Sequence, residues 1–140
     1  MIFNKFRPLI DTLKKFSELK LFSLQKNTEE TAEKLNIYNI IDLSDYINDF
    51  ADTASIIKQL NLVISVDTSV AHLAGALGKP VWTLLSFIPD WRWMLNRNDS
   101  PWYPKMRLFR QSKPGNWDSV FKEINIELKN LLINKYGHLI

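Results

Sequence analysis

"SVDTSVAHLAGALGKPVWTLL", residues 65–85, decides how the rest of the chain is read. It completes the apolar run "NLVISV" (61–66), which lacks polar alternation, as a parallel strand covered on both faces does. Asp67, Thr68 and Ser69 follow, the residue types that open helices by offering side-chain oxygens to unpaired N–H groups. A small-residue helix over 68–77 then carries a single His72, and Gly78 stands where a left-handed stop is wanted. "PVWTLLS" (80–86) is a second apolar run. Strand, helix and strand at this spacing make a right-handed crossover between parallel neighbours.

The same alternation extends in both directions. Pro8 opens a helical pattern with Leu9, Leu13 and Phe16 at helical spacing. "LKLFSLQ" (19–25) is a short strand, "NTEETAEKL" a polar helix capped by Asn27 or Thr28, and "IYNIIDL" (37–43) another strand. A helix over 52–60 starts on an Asp52/Thr53 cap and faces inward with Ile56, Ile57 and Leu60. Beyond residue 86, "FIPDWRWMLNRNDSPWYPK" (87–105) is a loop rich in proline and aromatics, and its tryptophans argue against a flexible linker. "MRLFRQ" (106–111) is a fifth strand. A closing amphipathic helix carries Trp117, Val120, Phe121, Ile124, Leu128 and Leu131 on one stripe. The expectation is one α/β domain, residues 1–140: a Rossmann-like, open, mainly parallel sheet of about five strands with helices on both faces.

Composition narrows the function classes. The chain has 140 residues, no cysteine and two histidines, His72 and His138. Disulfides, thiol chemistry and cysteine-based zinc sites are therefore excluded. No apolar run approaches the length of a membrane span, and charges interrupt the N-terminal segment, so a cytoplasmic protein without a membrane span is expected. Net charge is +3, unevenly spread. Seven acidic residues lie within 28–52 against Lys34 alone, and six basic ones lie within 90–113 against Asp90 and Asp99. The basic region suggests an anionic partner or a solvated face. No nucleic-acid-binding motif accompanies it, so nucleic acid is the least favoured partner.

In an open parallel sheet, ligands bind beyond the carboxyl ends of the strands. Three features converge there: Gln25-Lys26 after the first strand, Asp67-Thr68-Ser69 at a helix start, and the 87–105 loop. A helix N-terminus with its free N–H groups is a natural anion site. Thr68 and Ser69 add hydroxyls, and His72, four and three residues on, shares their face. Asp67 would cap the helix or accept from a sugar hydroxyl. Gly75 and the alanines at 71, 74 and 76 let the helix pack close to the sheet. Taken singly, each has a plain structural reading as a cap, a surface lysine or a core histidine.

A family resemblance adds to this. The run D-T-x-x-x-H-L-A-G-A-L-G-K-P-V-W (67–82) and the run P-D-W-R-W…S-P-W-Y-P…R-L-F-R-Q (89–111), with "SLQK" at 23–26, resemble the C-terminal lobe of glycosyltransferase family 9-like proteins. These include the heptosyltransferases and bacterial tetratricopeptide-repeat proteins with a glycosyltransferase-like region. The resemblance spans residues 7 to 125. It implies one lobe of a GT-B fold, in which two Rossmann-like lobes face across a cleft and the C-terminal one holds a nucleotide-sugar donor, without a metal ion or other cofactor. Carried over by position, Gln25, Lys26, Asp67, Thr68, Ser69 and His72 match the donor-binding motifs, with Lys26 and His72 facing the diphosphate. Trp91, Arg92, Trp93, Trp102 and Tyr103 are candidate sugar or acceptor contacts. Their rings either stack on a ligand or pin the loop down.

The resemblance also implies something missing. No N-terminal acceptor lobe and no repeats precede the matching region, so the expected chain holds half a cleft and no catalytic base. Transfer would then need a second lobe from a separate acceptor-lobe or repeat-containing protein. The alternative is a non-catalytic remnant that keeps the fold as a protein-interaction module.

Overall fold

The computed structural model describes residues 2–16, 18–25, 29–88, 93–94 and 97–136. After a 3-10 turn at Ile2–Phe6 come α1 (Arg7–Leu13), β1 (Phe22–Ser23), α2 (Glu29–Ile37) and β2 (Ile41–Asp42). A 3-10 turn at Ser44–Tyr46 leads into α3 (Phe50–Ile57), β3 (Val63–Val66), α4 (Ser69–Ala76), β4 (Val81–Leu85), β5 (Met106–Arg110) and α5 (Trp117–Tyr136). Among the described residues every pairing between these strands is parallel, as the alternation predicts, and one isolated antiparallel bridge joins Asp99 to Arg107. Among the described residues, five strands form two sheets rather than one continuous sheet: β1–β2, and β3–β4–β5 with β4 in the centre.

Strand parity sorts the core into two layers. Val63 pairs with Val81, and Leu84 with Phe109. All five residues of β4 are buried, which a central strand under helices on both faces requires. Trp82 and Leu84 point to the layer holding Leu9, Phe16, Phe109 and the α5 residues Val120, Phe121, Ile124, Leu128 and Leu132. Val81 and Leu85 point the other way, onto Ile57, Val63, Ala71, Ala74, Met106, Leu108 and Trp93. Helices α1 and α5 thus cover one face of the three-stranded sheet, and α3 and α4 the other. This is a Rossmann-like lobe.

Three local expectations need correction. The cap of α3 is Asp49, whose Oδ1 accepts from the Asp52 N–H at 2.9 Å, and the helix starts at Phe50 rather than at Asp52/Thr53. The α5 stripe ends on buried Leu132, one turn beyond Leu128, and Leu131 faces solvent. The strands expected over 19–25 and 37–43 pair over two residues each. Asn27 and Thr28, the expected α2 caps, lie outside the described residues. Among the described residues no helix is long and apolar enough to cross a membrane.

Candidate functional site: the end of strand β3 and its aromatic loop

At the carboxyl end of β3 the chain turns through Asp67 and Thr68 into α4. Thr68 is the N-cap, with φ −138° and ψ 173°, yet its side chain makes no cap bond. Its hydroxyl lies 3.0 Å from Ser65 Oγ. The Ser65 hydroxyl donates to Val66 O at 2.8 Å, so Thr68 donates to Ser65. The cap side chain is thus turned back along the strand, and the first-turn N–H groups of α4 keep their partial positive charge without a capping oxygen.

Asp67 does not cap α4 either. One carboxylate oxygen accepts from the Trp93 indole N–H at 2.8 Å. The other stands 3.3 Å from His72 Nε2. The histidine's Nδ1 is 3.1 Å from the Tyr103 hydroxyl. Its ring stacks on Trp93, with centroids 5.0 Å apart, and meets Tyr103 edge-on at 5.8 Å. Trp93 has no exposed surface and belongs to the α4-side core. Of the two readings for the loop aromatics, Trp93 therefore pins the loop.

Gly75 provides the seat for Tyr103. A Cβ built there would come within 2.6 Å of the Tyr103 ring, so the close approach expected of this glycine is to the loop, not to the sheet. Ala71 and Ala74 do face the sheet, in the buried α4-side layer, and Ala76 is exposed.

Arg110, at the end of β5, completes the clamp. Its Nη2 donates to Trp93 O at 2.6 Å and its Nε to Arg97 O at 3.2 Å. Its Nη1 is buried without a partner. Burial pushes the guanidinium below its usual value. Beyond Trp93 the backbone passes through Met94 at φ 56°, a left-handed conformation held between these anchors. Arg110 stands within the R-L-F-R-Q run, a match that gives it no role; strand parity singles it out, since it shares the face of Met106 and Leu108, where an unpaired charge would be costly. Ser65 carries no comparable signal.

Arg97 and Arg107, two of the other basic residues of 90–113, have local partners as well. Arg97 donates to Asp99 at 2.7 Å and holds that carboxyl below its usual value. Arg107 pairs with Glu127 at 2.8 Å across to α5. Arg97, Arg107 and Arg110 are thus bonded within the fold.

Of the expected site residues, the structure gathers Asp67, Thr68, His72, Trp93 and Tyr103 at one strand end, with Ser69 opening α4. Gln25 is exposed just beyond β1, and Trp102 is exposed, its N–H bonded to Ser100 Oγ at 3.1 Å. Lys26, Trp91 and Arg92 lie outside the described residues. Among the described residues no cluster of three or more His, Cys, Asp or Glu forms.

The comparisons with known proteins agree with this architecture. Protein FlbA of Caulobacter vibrioides is 29% identical over 82 residues, covering 59% of this chain and 13% of FlbA. The chain thus matches a small part of that relative's length. No solved structure matches. The family described as glycosyltransferase family 9 (heptosyltransferase) matches residues 3–125, nearly the whole chain, and the chain belongs to that family.

Proposed function

We propose that this chain is the nucleoside-diphosphate-sugar-binding lobe of a glycosyltransferase, the donor's diphosphate lying against the start of α4. The observation that carries the reading is the uncapped α4 N-terminus: Thr68 is bonded to Ser65, and both Asp67 oxygens are engaged by Trp93 and His72. The negative charge nearest that helix start is therefore committed within the fold, and N–H groups and the Ser69 hydroxyl are left for an anion. Family membership supports this ligand class. Lys26, following β1, is assigned to the same diphosphate.

On this reading the chemistry is inverting glycosyl transfer. The helix start, Lys26 and His72 stabilise charge developing on the departing nucleoside diphosphate. A base that activates the acceptor hydroxyl comes from a second lobe, in the same polypeptide or from a protein partner. The expected site of action is the cytoplasm.

Titration with ADP, GDP, UDP and their sugar conjugates tests the proposal. One nucleotide series should bind saturably, and His72→Ala, which leaves one Asp67 carboxylate oxygen without its partner beside the helix start, should weaken it about tenfold. Unchanged affinity in His72→Ala would remove His72 from the site. A second reading is favoured by Phe87, Ile88 and Trp102, exposed apolar residues following β4 and preceding β5. They fit a protein-interaction module that has kept the fold without the donor. Failure of every nucleotide to bind would favour that reading.

A further inference from the structure

Both ring nitrogens of His72 have partners within the chain, which constrains where its hydrogens sit. Asp67 only accepts, and its Oδ1 lies 3.3 Å from Nε2 as a charge contact rather than a hydrogen bond. The carboxylate repels a lone pair there, which favours the neutral tautomer with its hydrogen on Nε2. Nδ1 is then an acceptor, and the Tyr103 hydroxyl at 3.1 Å spends its hydrogen on it. In that state Tyr103 presents an approaching anion with lone pairs alone. A proton added at Nδ1 reverses the pair. His72 is then a cation beside the Asp67 carboxylate and donates through Nδ1 to the Tyr103 oxygen, and the tyrosine O–H turns outward as a donor. No covalent bond other than the new N–H forms, and the proton comes from solvent.

The surroundings favour this arrangement. His72 and Tyr103 are both partly exposed, and the Tyr103 ring is fixed over Gly75. Among the described residues, the titratable groups facing His72 are Asp67, from the β3–α4 turn, and Tyr103, from the loop; Arg110 of β5, on the same side of the sheet, is bonded to the Trp93 and Arg97 carbonyls. The stacked Trp93 ring is neutral. Strands β3 and β4 carry no titratable side chain. On α3 and its cap, Asp49 and Asp52 accept backbone N–H groups at their own helix start, and Lys58 is exposed at the far end.

We propose, resting on the donor-lobe reading above, that Tyr103 is a phosphate-binding residue whose donor hydroxyl is released by proton uptake at His72, so that diphosphate binding captures a proton. The loop aromatic is thereby a polarity-switched ligand rather than a sugar-stacking ring.

Calorimetry near neutral pH, in two buffers of different ionisation enthalpy, reads the uptake directly. The probe is the nucleoside diphosphate that binds best, with its parent nucleoside as control. The wild-type heat should depend on buffer for the diphosphate and be buffer-independent for the nucleoside. Tyr103→Phe keeps the ring over Gly75, so the fold should hold; it should bind the diphosphate about tenfold more weakly with the buffer dependence gone. Buffer-independent heat in the wild type, or undiminished uptake in Tyr103→Phe, overturns this inference and leaves the donor lobe standing. Absence of binding by every diphosphate overturns both. The wild-type comparison needs no variant, so a misfolded Tyr103→Phe would not block the test.

Discussion

The two sheets of this molecule are built to different standards. In β3–β4–β5, the central strand is buried along its whole length, and helices close over both faces. In β1–β2, two residues pair with two, and Phe22 and Ile41, side by side in the ladder, are both exposed. Around that smaller sheet Ile37, Tyr46 and Phe50 are each at least 66% exposed, against 0% for Leu84, Phe109 and Ile124. The difference teaches where rigidity is needed. The helix start, the aromatic clamp and Arg110 all hang from the larger sheet, so the positional accuracy of the proposed donor site, Lys26 after β1 apart, comes from it.

The largest effect should come from the larger sheet. Phe109→Ala should cost about 3–5 kcal/mol through the cavity it leaves, enough to unfold a marginal domain. Phe22→Ala, in the smaller sheet, should cost less than about 1 kcal/mol. Urea denaturation of the pair measures both. Similar losses would abolish the contrast.

Next in size is the seat of the loop. Gly75→Ala should destabilise by about 1–3 kcal/mol, because the methyl group meets the Tyr103 ring rather than a movable chain end. In a Tyr103→Ala background the same change should become neutral or stabilising, since alanine is the better helix former by about 1 kcal/mol. A double-mutant cycle checks this, and additive losses would show that Gly75 is needed for something other than Tyr103.

The smallest difference concerns caps. Asp49→Ala removes a real cap bond and should cost about 1 kcal/mol, while Thr68→Ala removes none and should cost less than about 0.5 kcal/mol. Thermal unfolding of the two variants ranks them. A larger loss in Thr68→Ala would mean that its hydroxyl does cap α4, and the anion site would lose its main support.

The larger sheet was legible in the sequence for the same reason that it is stable. Runs such as "NLVISV" and "PVWTLL" are too apolar to lie anywhere but under helices on both sides. The smaller sheet was read too long, because "LKLFSLQ" has strand-like residues, while its ladder extends over two of them. The α3 start shows the limit of local pattern: Asp49 and Asp52 both suit a cap, and only the extended backbone at Asp49 decides between them. Leu131 and Leu132 likewise both fit a helical stripe, and packing selects the second. At the site, Asp67, His72 and the loop aromatics were visible as a group. Their connections were not, because the partners lie 26 and 31 residues apart along the chain and meet only across the fold.

The most direct test of the central claim is a two-dimensional amide NMR titration of the intact chain with the nucleoside diphosphates. Shifts concentrated in Ser69, Val70, Ala71 and His72, with the β1–β2 amides Phe22, Ile41 and Asp42 unmoved, are the predicted result. A saturating ligand that shifts the β1–β2 region and leaves the α4 start unchanged, or no shift with any diphosphate, would contradict it.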